Sequence, residues 1–180
     1  MRTIAGMRLV TGTTTLQGSV NWILTNNDQT YVGPVTIGSV TPFFARFELK
    51  QSGTIRFEST VDGSGAGVQP VTFLFHGATP AADVLEFDAK VGGLQSLSNI
   101  TVLNGTVPNA VTININALNI ANFVINTTGF QSYGGNVVLG GNATLTSTSA
   151  GGDITFGNTI DGTGSQSLTT NSAGPHAAHA

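Results

Sequence analysis

The chain has no cysteine. Disulfides, thiolate-held zinc and thiol nucleophiles are therefore excluded. Charge is nearly as scarce. Charged residues make up 8 % of the 180 positions, against about 25 % in an average soluble domain. The six basic residues (Arg2, Arg8, Arg46, Lys50, Arg56 and Lys90) all lie in the first half, and residues 91–180 carry only Asp153 and Asp161. A net charge of −3 without a basic cluster argues against nucleic acid or an anionic membrane surface as partner. Glu, Lys and Arg are too few for a helical bundle. No run approaches the ~18 apolar residues of a membrane helix, so no membrane insertion is expected. Residues 1–8 do not read as a secretory leader, because Arg8 interrupts any apolar stretch. An export signal is expected outside this chain. Residues 174–180 match nothing upstream and are expected to form a disordered tail, in which the pair His176 and His179 carries no role.

What fills the chain is small and uncharged. There are 24 Gly, 26 Thr, 15 Asn and 13 Ser, while 39 % of residues are apolar. That apolar share excludes disorder driven by charge. The dominant period is two, as in Val111-Thr112-Ile113-Asn114-Ile115-Asn116, where apolar and small polar residues alternate. Similar short runs rich in Val, Ile, Thr and Phe recur at 20–24, 35–40, 43–49, 54–57, 71–75, 84–87, 100–103, 123–126, 137–139, 143–146 and 154–156. Gly, Asn, Asp, Ser or Pro separates them, which predicts an all-β chain. Residues 117–123 are expected as strand or loop rather than helix.

Internal repeats sharpen the prediction. Gly53-Thr54-Ile55-Arg56-Phe57-Glu58-Ser59-Thr60-Val61-Asp62-Gly63-Ser64-Gly65 aligns without a gap on Gly152-Asp153-Ile154-Thr155-Phe156-Gly157-Asn158-Thr159-Ile160-Asp161-Gly162-Thr163-Gly164, 99 residues later. A looser copy carries Phe87, Val91, Gly92 and Gly93, 30 residues after the first. The shared kernel is Phe-x-x-x-(Val/Ile)-(Asp/Gly)-Gly. Spacings near 17 and 30 predict a parallel β-solenoid of seven or eight coils, each stacked on the next at about 4.8 Å. Inward positions would stack apolar residues. Outward positions would stack Thr, Ser and Asn in uncharged ladders. An antiparallel β-sandwich is the alternative architecture.

The segment Gly152–Gly162, followed by Gln166-Ser167-Leu168-Thr169, resembles the β-strand repeats of large bacterial filamentous-haemagglutinin-like adhesins. The companion segment Val91–Val102 is similar to theirs. The resemblance covers residues 52–173. Residues 1–51 fall outside it and are expected to form a divergent coil, a cap or a boundary. The resemblance implies a right-handed parallel β-helix, export to the medium or the bacterial cell surface, and an adhesive or scaffolding role. It brings no catalytic residue and no cofactor.

Candidate chemistry is thin. Asp83, Glu86 and Asp88 form the tightest acidic group. Glu86 and Asp88 share one face of a strand, with Lys90 continuing it. They are read as the solvated side of an edge strand, the alternative being a sugar-cleaving pair or a cation site. Asp62-Gly63 and Asp161-Gly162 offer one carboxylate each, too few for calcium, and are expected as tight turns. His76 is expected as an ordinary strand-end residue, with no Gly-x-Ser-x-Gly elbow to serve. Four Asn-x-Ser/Thr triplets, at Asn99, Asn104, Asn126 and Asn142, stand against about 3 expected by chance and are no evidence for glycosylation. Trp22 alternates with Val20 and Leu24 and is expected in the core rather than on a sugar-stacking surface. The expected function is a non-enzymatic extracellular segment making multivalent contacts with glycans or with host or abiotic surfaces. Its open ends are expected to self-associate or to meet neighbouring repeats. A filament or fibre subunit, a polysaccharide-active β-helix enzyme and a carbohydrate-binding module are the alternatives.

Overall fold

A computed structural model describes residues 7–9, 12–17, 21–38, 44–65, 69–77, 83–104 and 111–173. The expected tail with its two histidines, the first residues of the chain, Val20 and Phe43 lie outside the described residues. The chain winds around three faces. The first coil holds β1 (Met7–Leu9), β2 (Thr14–Leu16) and β3 (Asn21–Thr25). The second holds β4 (Gln29–Tyr31), β5 (Val35–Ile37) and β6 (Ala45–Leu49). The third holds β7 (Thr54–Phe57), β8 (Val61–Gly63) and β9 (Val71–Phe75). The fourth has β10 (Asp83–Phe87) and β11 (Ile100–Asn104), with single bridges at Val91 and Leu97 between them. The fifth holds β12 (Val111–Ile115), β13 (Phe123–Thr127) and β14 (Gln131–Tyr133). The sixth holds β15 (Asn136–Leu139), β16 (Ala143–Ser147) and β17 (Ile154–Phe156). β18 (Ile160–Gly162) and β19 (Leu168–Ser172) begin a seventh.

The first face is a seven-stranded sheet in the order β1-β4-β7-β10-β12-β15-β18. The third face has six strands, β17-β14-β11-β9-β6-β3. The second is two three-stranded sheets, β2-β5-β8 and β13-β16-β19, linked where Val91 bridges both Val61 and Ile125. Every pairing is parallel. That excludes the sandwich, whose neighbours run antiparallel. The fold is a parallel β-solenoid.

In-register partners down the first face are Met7, Gln29, Ile55, Leu85, Ile113, Val137 and Ile160. A coil therefore takes 22 to 30 residues along these partners. The spacing of 30 is one full coil, since Phe87 sits over Phe57. The spacing of 17 is not: Leu139 lies on the first face and Phe156 on the third. Nor is 99 a whole number of coils, because Phe57 is on the first face and Phe156 on the third. The kernel is thus a strand-corner-strand cassette used at two different corners of the triangle.

Period two dictates the core. Inward Ile, Val, Leu and Phe stack coil on coil and are buried. Aromatic rings form the densest part. Tyr31, Phe57 and Phe87 stack in one column with centroids 4.9 and 5.7 Å apart, and Phe47 stacks on Phe73 at 5.4 Å in the column facing it. The two columns meet edge to face. Such pairs add about 0.5–1.5 kcal/mol each beyond burial. Outside, the second face shows uncharged columns in register: Val124, Thr144 and Thr169 beside Asn126, Thr146 and Asn171. Residues 116–122 form a loop in which Asn116, Asn119 and Asn122 have positive φ, a conformation Asn tolerates better than most residues.

Two kernel expectations change. Asp62-Gly63 and Asp161-Gly162 are not tight turns but lie within β8 and β18. Asp62 Oδ1 accepts the backbone N–H of Leu94 (2.9 Å) and of Gln95 (3.4 Å) from the next coil. Gly92 has φ +63°, and a Cβ there would run into the Asn126 carbonyl oxygen. Close approach and left-handed backbone together require glycine at that corner.

Candidate functional site

The acidic group divides. Asp83 has the inward parity of β10. Its Oδ1 accepts the Gly53 N–H and its Oδ2 the Gly77 N–H, both at 3.1 Å, so it ties two corners together. Burial raises its carboxyl above the usual aspartate range, and those two N–H groups partly offset the rise. Glu86 stands on β10 in register with Arg56 of the coil below. Asp88 follows directly after β10. Arg56 Nη2 lies 2.7 Å and Nε 2.8 Å from Asp88 Oδ2, and Nε lies 3.0 Å from Glu86 Oε1. Glu58 is at 3.8 Å. Asn114, from the coil above, donates to Glu86 Oε2 at 3.2 Å. Burial pushes the Asp88 carboxyl up and Arg56 draws it back down.

This arrangement bears on chemistry directly. The guanidinium fills the space between the carboxylates. Asp88 is buried beneath it, while Glu86 alone lines a shallow recess of about 310 Å³ with Asn114, Leu118, Val138 and Thr163. A glycoside-cleaving pair needs both carboxyl groups facing one substrate. Among the described residues, no group of three or more His, Asp or Glu is placed to hold a metal ion.

The more distinctive cluster is on the third face. Trp22 is 46 % exposed, so the expected core position is wrong. The reason is register. Ile23 pairs with Phe47 and Thr25 with Leu49. The inward set of β6 (Ala45, Phe47, Leu49) is far more apolar than Arg46 and Glu48, and that choice sends Trp22 and Leu24 outward. The alternation in β6 was the available signal. Glu48 organises the cluster. Its side chain is only 6 % exposed, yet it points away from the core. Its Oε2 accepts the Trp22 Nε1–H at 2.8 Å and lies 2.8 Å from Arg46 Nε. Its Oε1 lies 2.9 Å from His76 Nε2. The Arg46 guanidinium stands over the indole, 5.0 Å from its centroid, at cation–π distance. Leu24, Glu48, Leu74 and Leu103 form the adjacent column, and Leu103 and Phe44 are exposed. His76, expected as an incidental strand-end residue, is a member of this cluster.

The kernel residues divide by burial. Phe57, Val61, Phe87 and Val91 are core, whereas Phe156, Ile160, Asp161 and Gly162 lie in the last coils and are partly or fully exposed. Gly93 is exposed beside Lys90. A second cassette has no counterpart in the sequence reading. Gln29 Nε2 donates to Ile23 O, Thr25 Oγ1 and Glu48 O, and its Oε1 accepts from Tyr31. Gln131 repeats each bond with Ile125 O, Thr127 Oγ1, Thr146 O and Tyr133. The signal was Thr-x-x-x-Gln-x-Tyr, present twice at an offset of 102. No family model, curated protein or solved structure matches the chain.

Proposed function

We propose that the chain is a non-enzymatic structural and adhesive segment of an exported bacterial surface protein, of the kind its repeats resemble, and that its third face holds glycans. One observation carries the reading: an exposed indole whose N–H is fixed by a buried carboxylate. Tryptophan offers sugar C–H groups a flat apolar surface. Anchoring Nε1 to Glu48 fixes the ring before a ligand arrives, which lowers the ordering cost of binding. Arg46, over one face of the ring, and His76, on the other oxygen of Glu48, are each about one third exposed and supply polar groups beside it. The uncharged Thr and Asn columns of the second face support a scaffolding role, and the Arg56 pairing of Glu86 and Asp88 supports the absence of sugar cleavage.

The test is a panel of neutral and acidic oligosaccharides screened by calorimetry or on an array. Binding by the parent chain is expected, with Trp22→Ala weakening it at least tenfold while the far-UV spectrum stays unchanged. If no glycan in the panel binds, or if binding is indifferent to Trp22, the glycan reading is lost. Release of reducing sugar that Glu86→Gln abolishes would replace it with an enzyme.

A further inference from the structure

Resting on the glycan reading above, we infer that the sugar held by the third face is a carboxylated one, a uronic or sialic acid, and that Arg46 selects it. Charge on this face has a local sign. Its six strands carry two charged residues, Arg46 and Glu48. The backbone ladder runs one residue past β6 and β9, where Lys50 N donates to Thr25 O and His76 N to Leu49 O, both at 3.0 Å. Lys50 thereby follows Arg46 and Glu48 in the outward alternation. It is exposed and forms no ion pair among the described residues.

The acids nearby are already committed. Glu48 is buried and gives one oxygen to Trp22 and Arg46 and the other to His76. At the adjoining corner, Asp28 Oδ1 accepts the Thr54 N–H at 2.7 Å, and Asp83 takes the N–H groups of Gly53 and Gly77. What this part of the face turns to solvent around the indole is therefore basic, in a chain whose net charge is −3. A local field of that sign concentrates an anionic ligand against the overall charge.

Arg46 has the donors to hold one. Its Nε is buried 2.8 Å from Glu48 Oε2, an ion pair in which the N–H is not aimed at a partner. Its Nη1 and Nη2 make no hydrogen bond among the described residues. Arg56, in the next coil, is the contrast: Nη2 and Nε are both on Asp88, which closes it to a ligand. A free guanidinium edge is a planar fork whose parallel N–H groups match a carboxylate, and the hydroxyls of a neutral sugar neither fit that fork nor offset its charge. The Arg46 guanidinium carbon stands 5.0 Å from the Trp22 ring centroid, so one sugar residue can meet both groups. Its C–H groups lie against exposed indole while its carboxyl, attached directly to the sugar ring, reaches the guanidinium.

The test is calorimetry with paired probes: an oligogalacturonate and sialyllactose, each beside its carboxyl-reduced neutral form. At least one carboxylated probe is expected to bind tenfold or more tightly than its reduced form, and the pair that shows this tells uronate from sialate. Arg46→Gln is expected to bring that ratio close to one. The ratio is taken within each variant, so a general loss of affinity does not imitate the effect. Trp22→Ala is expected to weaken both forms of a probe. Reduced forms that bind as tightly as the acids overturn the inference and leave the glycan reading standing. So does a preference that survives Arg46→Gln. If neither form of either probe binds while neutral glycans of the wider panel do, this inference alone falls; if no glycan binds at all, the glycan reading falls and takes it along.

Discussion

At the scale of single residues, the buried carboxylates decide most. Glu48, Asp83 and Asp88 are buried in a chain with little charge to spend on them. Each has its own solution: a triad of side-chain partners for Glu48, two corner N–H groups for Asp83, a guanidinium for Asp88. For Asp83 and Asp88, burial outweighs those partners and raises the carboxyl. A carboxyl raised in the fold binds a proton more readily folded than unfolded. Stability should therefore fall as pH rises from the ordinary aspartate value, ~3.9, through the raised folded value. Urea midpoints measured across that interval should show the decline. Asp83→Asn should flatten its share. Arg56→Leu should destabilise the protein more at pH 7 than at pH 4, because it leaves Asp88 charged and uncompensated. Little of this was legible in the sequence. That Glu86 and Asp88 share a face followed from alternation, but their common partner Arg56 is 30 or more residues away and only coil stacking brings it near.

At the scale of elements, the corner is the unit that repeats. The kernel was legible because its 13 positions align without a gap and keep their apolar residues. The glutamine cassette was not. Thr25-Asn26-Asn27-Asp28-Gln29-Thr30-Tyr31 and Thr127-Thr128-Gly129-Phe130-Gln131-Ser132-Tyr133 share three residues, and a buried glutamine looks like a surface one until its partners are known. Its energetics can be checked. Gln131→Leu removes the side-chain donor shared by two backbone carbonyls and the Thr127 hydroxyl, and leaves the buried Tyr133 hydroxyl without an acceptor. At about 1–3 kcal/mol for an unsatisfied buried group, a loss of about 2–4 kcal/mol in denaturant unfolding is expected. Tyr133→Phe should cost about 1 kcal/mol, one hydrogen bond. Gln29→Leu should cost about as much as Gln131→Leu, although the two glutamines occupy different faces, because the local bonds are the same.

At the scale of the whole molecule, stability is distributed along an axis. Each coil touches chiefly its neighbours, so terminal coils open before central ones. Amide exchange should be slowest in β7, β10 and β12 and fastest in β17, β18 and β19. Phe57, sandwiched between Tyr31 and Phe87, should cost about 3–5 kcal/mol on truncation to Ala. Phe156, stacked only on Tyr133 and partly exposed, should cost clearly less. The sequence by itself determined the class of the fold. Period two, frequent turn residues and a repeated kernel leave short stacked strands with apolar insides, because alternation is a local consequence of the pleat. It also determined that stacked outward columns avoid charge after residue 90, since a repeated charge would form a like-charge column. The tertiary structure decided everything that depends on register between coils. Which parity of β3 faces inward was settled by the more apolar choice in β6, and that placed Trp22 outside. Which corner carries each kernel was settled by coil lengths of 22 to 30 residues, so a constant offset in sequence became a change of face in space.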